Sequence, residues 1–399
     1  GVEPVLAGVV IELLRAGVLF HARGLVNTKA IQTNLDWAWP YWVERQFDPT
    51  NPAFIPRGFS FSHINLTHRS WSAVGLPWEN TYGIIDPSGM VTPLHDGWSL
   101  EFWILDREGE VFRPSAQGEI QQKYASSNGL SIVTQSKNEP GMQINSEVWM
   151  QRQENESLCI QTQIQAHSPE PGSQLIVALR PYNPEGIQFI ENIRYEEGTP
   201  LLCVNKHQNI RWQSQSAGKI ILSNYREGDV LHKLKKQNGP HKESTDCSVG
   251  MATAAMLFPL DESGNAELKL QLPVSREEVE ATPAQSPEQS QANWENIRKE
   301  AATFETADES WKASWEASLN TLILLSGEEI YPGPYTYRRF WFRDACLMLH
   351  GLANANLTDR AFHHLKQFPA KQKSNGYFHS QEGEWDSNGQ VLWIWDRIC

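Results

Sequence analysis

The hydrophobic pattern changes period along the chain and divides it into regions. From residue 98 to residue 274, apolar and polar positions alternate through a series of short runs. A period of two places successive side chains on opposite faces of a β-strand. Two runs show the alternation well: Met142, Ile144, Val148 and Met150 in one, and Leu268, Leu270 and Leu272 in the other. Turn-forming segments such as SPEPGS and DESGN separate such runs. The pattern therefore predicts a large antiparallel β-sandwich over 98–274, with one solvent-facing side on each sheet.

Helical spacing takes over after a polar segment. Residues 275–291 are charged, contain proline and almost lack large apolar side chains, which is typical of a linker. Helical pattern begins at Trp294. Four large apolar residues then follow at spacings of four, four and three, on one face of a helix: Trp311, Trp315, Leu319 and Leu322. We interpret this stripe as core and predict a linker with linker helices over 275–326.

The N-terminal region, residues 1–97, has a different character. An amphipathic helix is predicted within residues 1–30, and a segment rich in Trp and Pro follows over 33–57. Three tryptophans within six residues and repeated prolines argue against a regular helix or strand there, so we expect this segment to wrap over another domain. Three histidines of this region match no metal-binding spacing and are expected to form loop hydrogen bonds instead: His63, His68 and His95.

Composition narrows the classes of partner. The chain has 47 acidic residues against 34 Lys and Arg, a net charge of -13, which argues against nucleic acid or an anionic membrane as partner. The five cysteines are scattered and form no CxxC pair, which favours a reducing, cytoplasmic compartment without disulfides or a zinc site. The apolar run at 5–20 is interrupted by Glu12 and Arg15, is too short for a membrane span and lacks the features of a signal peptide.

Two loop-to-helix corners near the C-terminal end carry the candidate chemistry. One reads YRRFWFRDACLMLHGL over 337–352, and the other reads GEWDSNGQVLWIW over 383–395. Each has an aromatic residue beside an acid and runs directly into an apolar stretch at helical spacing. An acid at a helix start can cap free N–H groups and lies in favourable dipole geometry. Carboxylates accept hydrogen bonds from sugar hydroxyls and indoles cover the C–H face of a sugar ring, so the two corners could line one sugar pocket.

The segment between the corners predicts a further helix. Thr358 is its expected N-cap, and Phe362, Leu365 and Phe368 lie on one face. Asp386 or Ser387 is expected to cap the last helix. The order of helices and acid-bearing loops predicts the start of a helical-hairpin array over 327–399.

The succession of a β-sandwich, a linker helix, FWFRDA and EWDSNGQ resembles the glucoamylase-like glycoside hydrolases of the six-hairpin class, including bacterial glycogen-debranching or amylo-α-1,6-glucosidase-like proteins. The resemblance implies a multidomain β + α chain: a supersandwich-like antiparallel β-sandwich followed by the start of an (α/α)6 toroid. It also implies hydrolysis of α-glucosidic bonds of glucans or oligosaccharides by carboxylate acid/base catalysis, without metal or organic cofactor.

The resemblance assigns roles to residues of the two corners. Arg343 and Asp344 would grip the hydroxyls of the terminal sugar, and Trp341 would wall the site. In the second corner Trp385 would stack on or wall the sugar. The remaining candidates would contact the same or the next sugar: Glu384, Asp386 and Gln390.

The chain departs from this family in length. A toroid needs about a dozen helices, and the 69 residues between Ile330 and the end at residue 399 suffice for roughly three or four. The resemblance places the general acid and base on later loops, so we expect the catalytic pair beyond Cys399, in a longer protein. Glu384 or Asp386 acting as the acid is an alternative, since inversion needs two carboxyls roughly 6.5–9.5 Å apart.

Other interpretations stay open at this stage. Arg343–Asp344 can be read as a structural ion pair at a helix start, and EWDSNGQ as a helix cap only. A disaccharide phosphorylase of the same architecture is an alternative enzyme. A non-catalytic glycan-binding protein, whose sandwich binds the sugar, is an alternative of another class. The sugar, the linkage and the oligomeric state are open.

Overall fold

The computed structural model describes residues 37–52, 54, 71–125, 129–139, 141–214, 218–236, 242–275 and 287–399, with the isolated helical positions 18, 22 and 25. Apart from these three positions, the helix predicted within residues 1–30 lies outside the described residues. His63, His68 and most of the predicted linker lie outside them as well.

The strands of the described residues are, in chain order, β1 (Ser72–Val74), β2 (Gly83–Ile85), β3 (Val91–Thr92), β4 (Ser99–Leu105), β5 (Val111–Phe112), β6 (Glu119–Ala125), β7 (Ser131–Lys137), β8 (Gln143–Arg152), β9 (Leu158–His167), β10 (Gln174–Arg180), β11 (Tyr182–Asn183), β12 (Gly186–Ile187), β13 (Asn192–Tyr195), β14 (Leu201–Val204), β15 (Gln208–Ser214), β16 (Lys219–Ser223), β17 (Ser244–Asp246), β18 (Thr253–Pro259) and β19 (Asn265–Pro273).

The helices are α1 (Tyr41–Glu44), α2 (Pro114–Gln117), α3 (Val230–Lys236), α4 (Pro287–Glu300), α5 (Glu309–Leu325), α6 (Phe342–Asn354), α7 (Thr358–Leu365) and α8 (Ser387–Ile398), with a 3-10 turn at Phe368–Lys371 between α7 and α8. Strands dominate up to β19 and helices follow it. The chain is therefore a β-sandwich followed by a helical region, as predicted at this level.

Two large antiparallel sheets form the sandwich. One has eight strands in the order β1-β2-β3-β4-β10-β18-β16, with β5 paired to β4. The other has nine, in the order β17-β13-β14-β15-β19-β9-β8-β7-β6, and β11 and β12 form a separate hairpin. Because β1 to β3 belong to the first sheet, the sandwich begins before the predicted boundary at residue 98. These strands have only two or three residues, too few for alternation to be visible in the sequence.

The apolar side chains of the alternating runs lie in the space between the two sheets. All the apolar residues that defined them are buried in one cluster: Met142, Ile144, Val148, Met150, Leu268, Leu270 and Leu272. Lys269, between two of these leucines, is exposed. In the nine-stranded sheet the period of two therefore separates a core face from a wet face, as predicted.

The eight-stranded sheet is buried on both faces, so the prediction of one wet side per sheet is wrong for it. Every residue of β4 is buried, and so is nearly every residue of β10 and β18. Helix α3 packs Val230, Leu231 and Leu234 against the second face, where Trp103 and Ile176 lie. Strands covered on both sides need continuous apolar runs, and LIVAL in β10 is such a run.

The Trp- and Pro-rich segment packs on the sandwich where it is described. Trp37, Trp39 and Trp42 are all buried in the main sandwich core, and the first two stack with ring centroids 5.5 Å apart. The indole N–H of Trp42 donates to the carbonyl oxygen of Asn183 at 3.1 Å. Within its described part, residues 37–52 and 54, the single turn α1 is the only regular element.

The linker helices differ from prediction at their ends. Helix α4 begins at Pro287, seven residues before Trp294, whose buried indole N–H donates to the Gly75 carbonyl oxygen at 3.2 Å. Leu319 is buried as predicted, but Trp311 is 65 % exposed. The first six residues of α5 are all exposed, so this end of the helix projects from the core and its stripe is not buried there.

Helix α7 differs from prediction at its N-cap and in the burial of one face residue. Leu357 occupies the N-cap position without a side-chain bond, and Thr358 is the first helical residue. Asn356, whose backbone is left-handed at φ 62°, lies between the end of α6 and this N-cap. Leu365 and Phe368 are fully buried, whereas Phe362 lies 37 % exposed beneath the ammonium of Lys366.

Candidate functional site

The two predicted corners meet at one end of the helical region. Arg343 lies in the first turn of α6, and Asp386 occupies the N-cap position of α8. Their side chains form a bidentate ion pair: Nε lies 3.0 Å from Oδ2, and a terminal guanidinium nitrogen lies 2.7 Å from Oδ1. The side chains remain 44 % and 49 % exposed. The fold thus brings the starts of α6 and α8 side by side and leaves the pair open to solvent.

The Arg343–Asp386 pair bears on two of the structural interpretations, an Arg343–Asp344 ion pair and a helix cap by Asp386. Arg343 pairs with Asp386 rather than with its neighbour Asp344, so the ion pair joins two loops instead of closing one helix start. Asp386 makes no side-chain capping bond, because its carboxylate is committed to Arg343 and to the amide of Gln390, at 2.7 Å. Asp386 therefore does not cap α8, and Ser387, the other predicted cap, donates its hydroxyl to the carbonyl oxygens of Phe378 and Glu384 instead.

The ion pair also sets the protonation of Asp386. The hydrogen bond from Arg343 holds the pKa of Asp386 below its usual value, and Asp386 in turn raises the pKa of Arg343. A general acid must hold its proton near neutral pH, which requires a raised pKa. Asp386 is accordingly a stable anion, suited to accepting hydrogen bonds and unsuited to the role of general acid.

Glu384 lies beneath the pair and is closed off from solvent, with 1 % exposure. One carboxylate oxygen accepts the backbone N–H of Arg343 at 3.0 Å. The other accepts the backbone N–H of Ser380 at 3.1 Å and also its hydroxyl. Both oxygens are used to tie the start of α6 to the second loop. Both oxygens of Glu384, a residue predicted to contact sugar, are thus engaged within the protein.

The surroundings of Asp344 are the opposite of those of Glu384. It lies half-buried in the first turn of α6, where the helix dipole stabilises a negative charge. Across the described ranges, from 37–52 to 287–399, its carboxylate has neither a hydrogen-bond donor nor an ion-pair partner. Among the described residues, it is the carboxylate of the two corners that has no bond to another side chain.

The two predicted indoles differ in accessibility. Trp385 is 70 % exposed, and the ring of His379 lies 6.3 Å from its ring. Trp341 is held in place, since its N–H donates to the side-chain oxygen of Gln381 at 2.7 Å and the guanidinium of Arg339 lies 4.4 Å from its ring. Trp385 therefore offers a free face for stacking, while Trp341 offers a fixed wall.

Two further residues, Ser380 and Gln381, belong to this site and were not predicted from the sequence. Gln381 accepts from both Trp341 and Arg339, and Ser380 donates its hydroxyl to Glu384. They lie within four residues of motif positions along the chain. That proximity is the only sequence signal they give, because their residue types are ordinary for loops.

The region around the site contains little that would hold a metal. In the part of the chain that the structure describes, no three His, Cys, Asp or Glu side chains are placed to bind one ion. His95 lies 3.2 Å from Asp96 and 4.9 Å from the ring of Tyr335, in a loop of the sandwich. Burial, and next the charge of Glu384, raise the pKa of Cys346 in α6 to about 12, so its thiol stays protonated.

None of the described helices is both long enough and apolar enough to cross a lipid bilayer.

Known proteins share the fold at low sequence identity. No protein-family model and no curated protein matches the chain. The crystal structure of a bacterial glucoamylase complexed with acarbose aligns with a TM-score of 0.57 at 13% identity, over 83% of this chain and 57% of that chain. A family GH92 inverting mannosidase from Bacteroides thetaiotaomicron aligns at a TM-score of 0.37 and 10% identity, over 81% of this chain and 55% of that chain. The chain thus has a glucoamylase-like fold and spans little more than half of that enzyme.

Proposed function

We propose that this chain forms the sugar-holding part of a glycoside hydrolase that acts on α-glucosidic bonds of glucans or oligosaccharides. The observation that carries the proposal is the unpartnered carboxylate of Asp344 beside the exposed Arg343–Asp386 pair, at the shared start of two helices. The glucoamylase-like fold supports it, and the solved glucoamylase holds acarbose. In this proposal α5 to α8 are the first helices of an (α/α)6 toroid, and hydrolysis by carboxylate acid/base catalysis belongs to the whole protein.

Each side chain has a role that follows from its surroundings. Asp344 accepts hydrogen bonds from sugar hydroxyls, and Arg343 donates to sugar oxygens from the edge of its ion pair. Asp386 accepts from a neighbouring hydroxyl, held in place by Gln390. The exposed ring of Trp385 covers the apolar C–H face of a sugar. Glu384 and Trp341 fix the geometry of the two loops.

A neutral, hydroxyl-rich ligand suits this site better than an anion does. Arg343 is already neutralised by Asp386, and Asp344 adds a second negative charge. A phosphate dianion would be repelled by these carboxylates, so the site gives the phosphorylase alternative no specific support. A hydroxyl both donates and accepts, and it therefore satisfies carboxylate and guanidinium together.

The binding role is tested by Asp344→Ala, with acarbose as the probe and calorimetry as the readout. We expect affinity to fall by about tenfold to a hundredfold, the worth of hydrogen bonds to a charged group. The melting temperature should hardly move, because Asp344 has no bond within the described protein to lose. The matched control is Asp359→Ala, which removes an exposed acid from the first turn of α7. Unchanged acarbose affinity in Asp344→Ala would refute the proposed site.

The reaction is tested by glucose release from maltoheptaose, using the protein isolated from its own source. Release that depends on Asp344 supports the hydrolase. Release of a sugar phosphate that requires added phosphate would favour the phosphorylase. Sugar binding that survives loss of Asp344, without any released glucose, would favour the non-catalytic glycan-binding protein.

A further inference from the structure

The outer face of the nine-stranded sheet carries a straight row of side-chain amides. Gln121 on β6 lies opposite Gln135 on β7, and Gln135 lies opposite Asn145 on β8. Asn145 is opposite Gln165 on β9, which in turn is opposite Glu267 on β19. Four amides and one carboxylate therefore cross five neighbouring strands at a single level. We name these five residues the amide row.

The row points away from the sandwich core. Ile144, Ile164 and Leu268 are neighbours of row residues along their strands, and all three are buried between the sheets. Successive residues of a strand face opposite sides, so Asn145, Gln165 and Glu267 face outward. The side chains of the row are exposed except for Asn145, which is half-buried.

The amides of the row are chemically available. In the described ranges of the chain, none of the four amide side chains has a hydrogen-bond partner within the protein. Flanking polar residues differ, because Gln163 donates to Glu267 at 2.9 Å and His167 contacts Asn265 at 3.0 Å. Each free amide offers two donor hydrogens and an acceptor oxygen to a ligand.

The spacing of the row matches a chain of sugar rings. Neighbouring strands lie about 4.7–4.9 Å apart, so five strands place the row over roughly 19 Å. One strand spacing is close to the length of one pyranose ring along a linear glycan. A chain of about four or five rings laid across the strands would present hydroxyls to each amide in turn.

The low charge of the amide row favours a neutral ligand. The row holds one carboxylate in a chain whose net charge is -13, so it has neither the cations that bind an anionic partner nor a cluster of acids for a metal ion. At the Asn145–Gln165–Glu267 end the row opens into a depression of about 610 Å³. Further hydrogen-bonding groups line this depression, among them Gln143 and Asn265. Neutral amides are cheaper to desolvate than charges and suit hydroxyls.

We propose that the amide row is a binding site for a linear, neutral oligosaccharide or glucan strand, separate from the site at α6 and α8. The inference rests on the row itself, and only the choice of glucans as probes rests on the proposed function. With neutral hydrogen bonds and no stacking ring in the row, binding depends on the number of amides engaged. It should therefore strengthen with the length of the oligosaccharide.

The test measures calorimetric binding of maltoheptaose and of cellohexaose in an Asp344→Ala background, which weakens the proposed helical site. We expect binding that weakens by about tenfold or more on adding Asn145→Ala and Gln165→Ala, since two engaged amides are lost. Maltose should bind much more weakly than maltoheptaose. The matched control is Gln213→Ala, an exposed amide on β15 outside the row, which should leave binding unchanged.

Three outcomes would overturn the proposal. One is that neither oligosaccharide binds at millimolar concentration, and another is that the double variant binds as well as its parent. The third is self-association: if sedimentation shows a dimer that becomes monomeric when Asn145 and Gln165 are replaced, a second copy of the chain covers the row. Absence of glucose release would leave this proposal standing, because binding on the sheet does not require the reaction.

Discussion

Two arginine–aspartate pairs of similar bidentate geometry lie in opposite surroundings. In the sandwich, Arg180 at the end of β10 binds Asp229 with nitrogen–oxygen distances of 2.9 and 2.5 Å. In the helical region, Arg343 binds Asp386 at 2.7 and 3.0 Å. In each pair the aspartate directly precedes a helix, α3 or α8. The side chains of the first pair are 0% exposed and those of the second nearly half exposed.

The buried pair is surrounded by further hydrogen bonds within the protein. Arg180 also donates to the hydroxyl of Tyr182 and to the carbonyl oxygen of Ala38. Asp229 accepts the N–H groups of Ala38 and Leu231. Burial alone would raise the pKa of Asp229, but the charge of Arg180 and these hydrogen bonds hold it below its usual value. The pair thus fastens the Trp-rich segment and the start of α3 to the sheet.

The exposed pair uses only part of its hydrogen-bonding capacity within the protein. Arg343 and Asp386 satisfy each other and Gln390, yet both remain open to water and to a ligand. The same two residue types therefore build structure where water is excluded and stay accessible to a ligand where it is not. Exposure and unused hydrogen-bonding capacity, rather than residue type, distinguish a candidate site from a structural ion pair.

The largest effect should come from breaking the buried pair. We expect Asp229→Ala to lower the free energy of unfolding by about 3–5 kcal/mol, because Arg180 is left as an uncompensated buried charge. Urea denaturation followed by tryptophan fluorescence measures this. The double variant Arg180→Met with Asp229→Leu should recover only part of the loss. It removes both buried charges, but the N–H groups of Ala38 and Leu231 lose their acceptor. A loss of unfolding free energy below about 1 kcal/mol in Asp229→Ala is typical of exposed ion pairs. It would contradict the difference drawn here between the buried and the exposed pair.

A smaller effect tests whether burial governs charge in the helical region too. His364 on α7 is 1% exposed, and one ring nitrogen lies 3.3 Å from the Ser326 carbonyl oxygen. Burial lowers its pKa from 6.5 to about 4. As pH falls through this window, the unfolded imidazole takes up a proton that the folded one refuses. Stability should therefore decline by roughly 2–3 kcal/mol between pH 6.5 and pH 4 on account of this residue.

The control for His364 is a comparison of variants across that window. Asp86 is buried with a pKa raised to about 6, so its contribution to stability grows as pH falls and partly masks the histidine. His364→Gln keeps a donor for Ser326 and cannot titrate, so its stability should fall less steeply towards pH 4 than that of the unsubstituted protein. The exposed neighbour variant His363→Gln should keep the original slope. Equal slopes in all three proteins would contradict the assignment.

The two regions also differ in how far the sequence predicts them. Leu268, Leu270 and Leu272 reveal a half-buried strand because alternation is a local signal. The cover of α3 on the eight-stranded sheet is a contact between distant parts of the chain, and the local pattern does not report it. Likewise, the sequence places acids in both corners, but the partners Arg343 and Asp386 are 43 positions apart. Pairing across that distance, and the burial of Glu384, follow only from the packing of α6 on α8.

The smallest change in stability should follow from breaking the exposed pair with Asp386→Ala. Solvent and salt already screen both side chains, so the melting temperature should stay close to that of the unsubstituted protein. Acarbose affinity, by contrast, should fall by about tenfold, because a charged acceptor is lost and Arg343 is no longer held in place. A melting temperature that drops as far as in Asp229→Ala, with acarbose binding intact, would make this pair a structural one. An affinity loss without a stability loss would confirm that the two pairs differ in purpose because they differ in exposure.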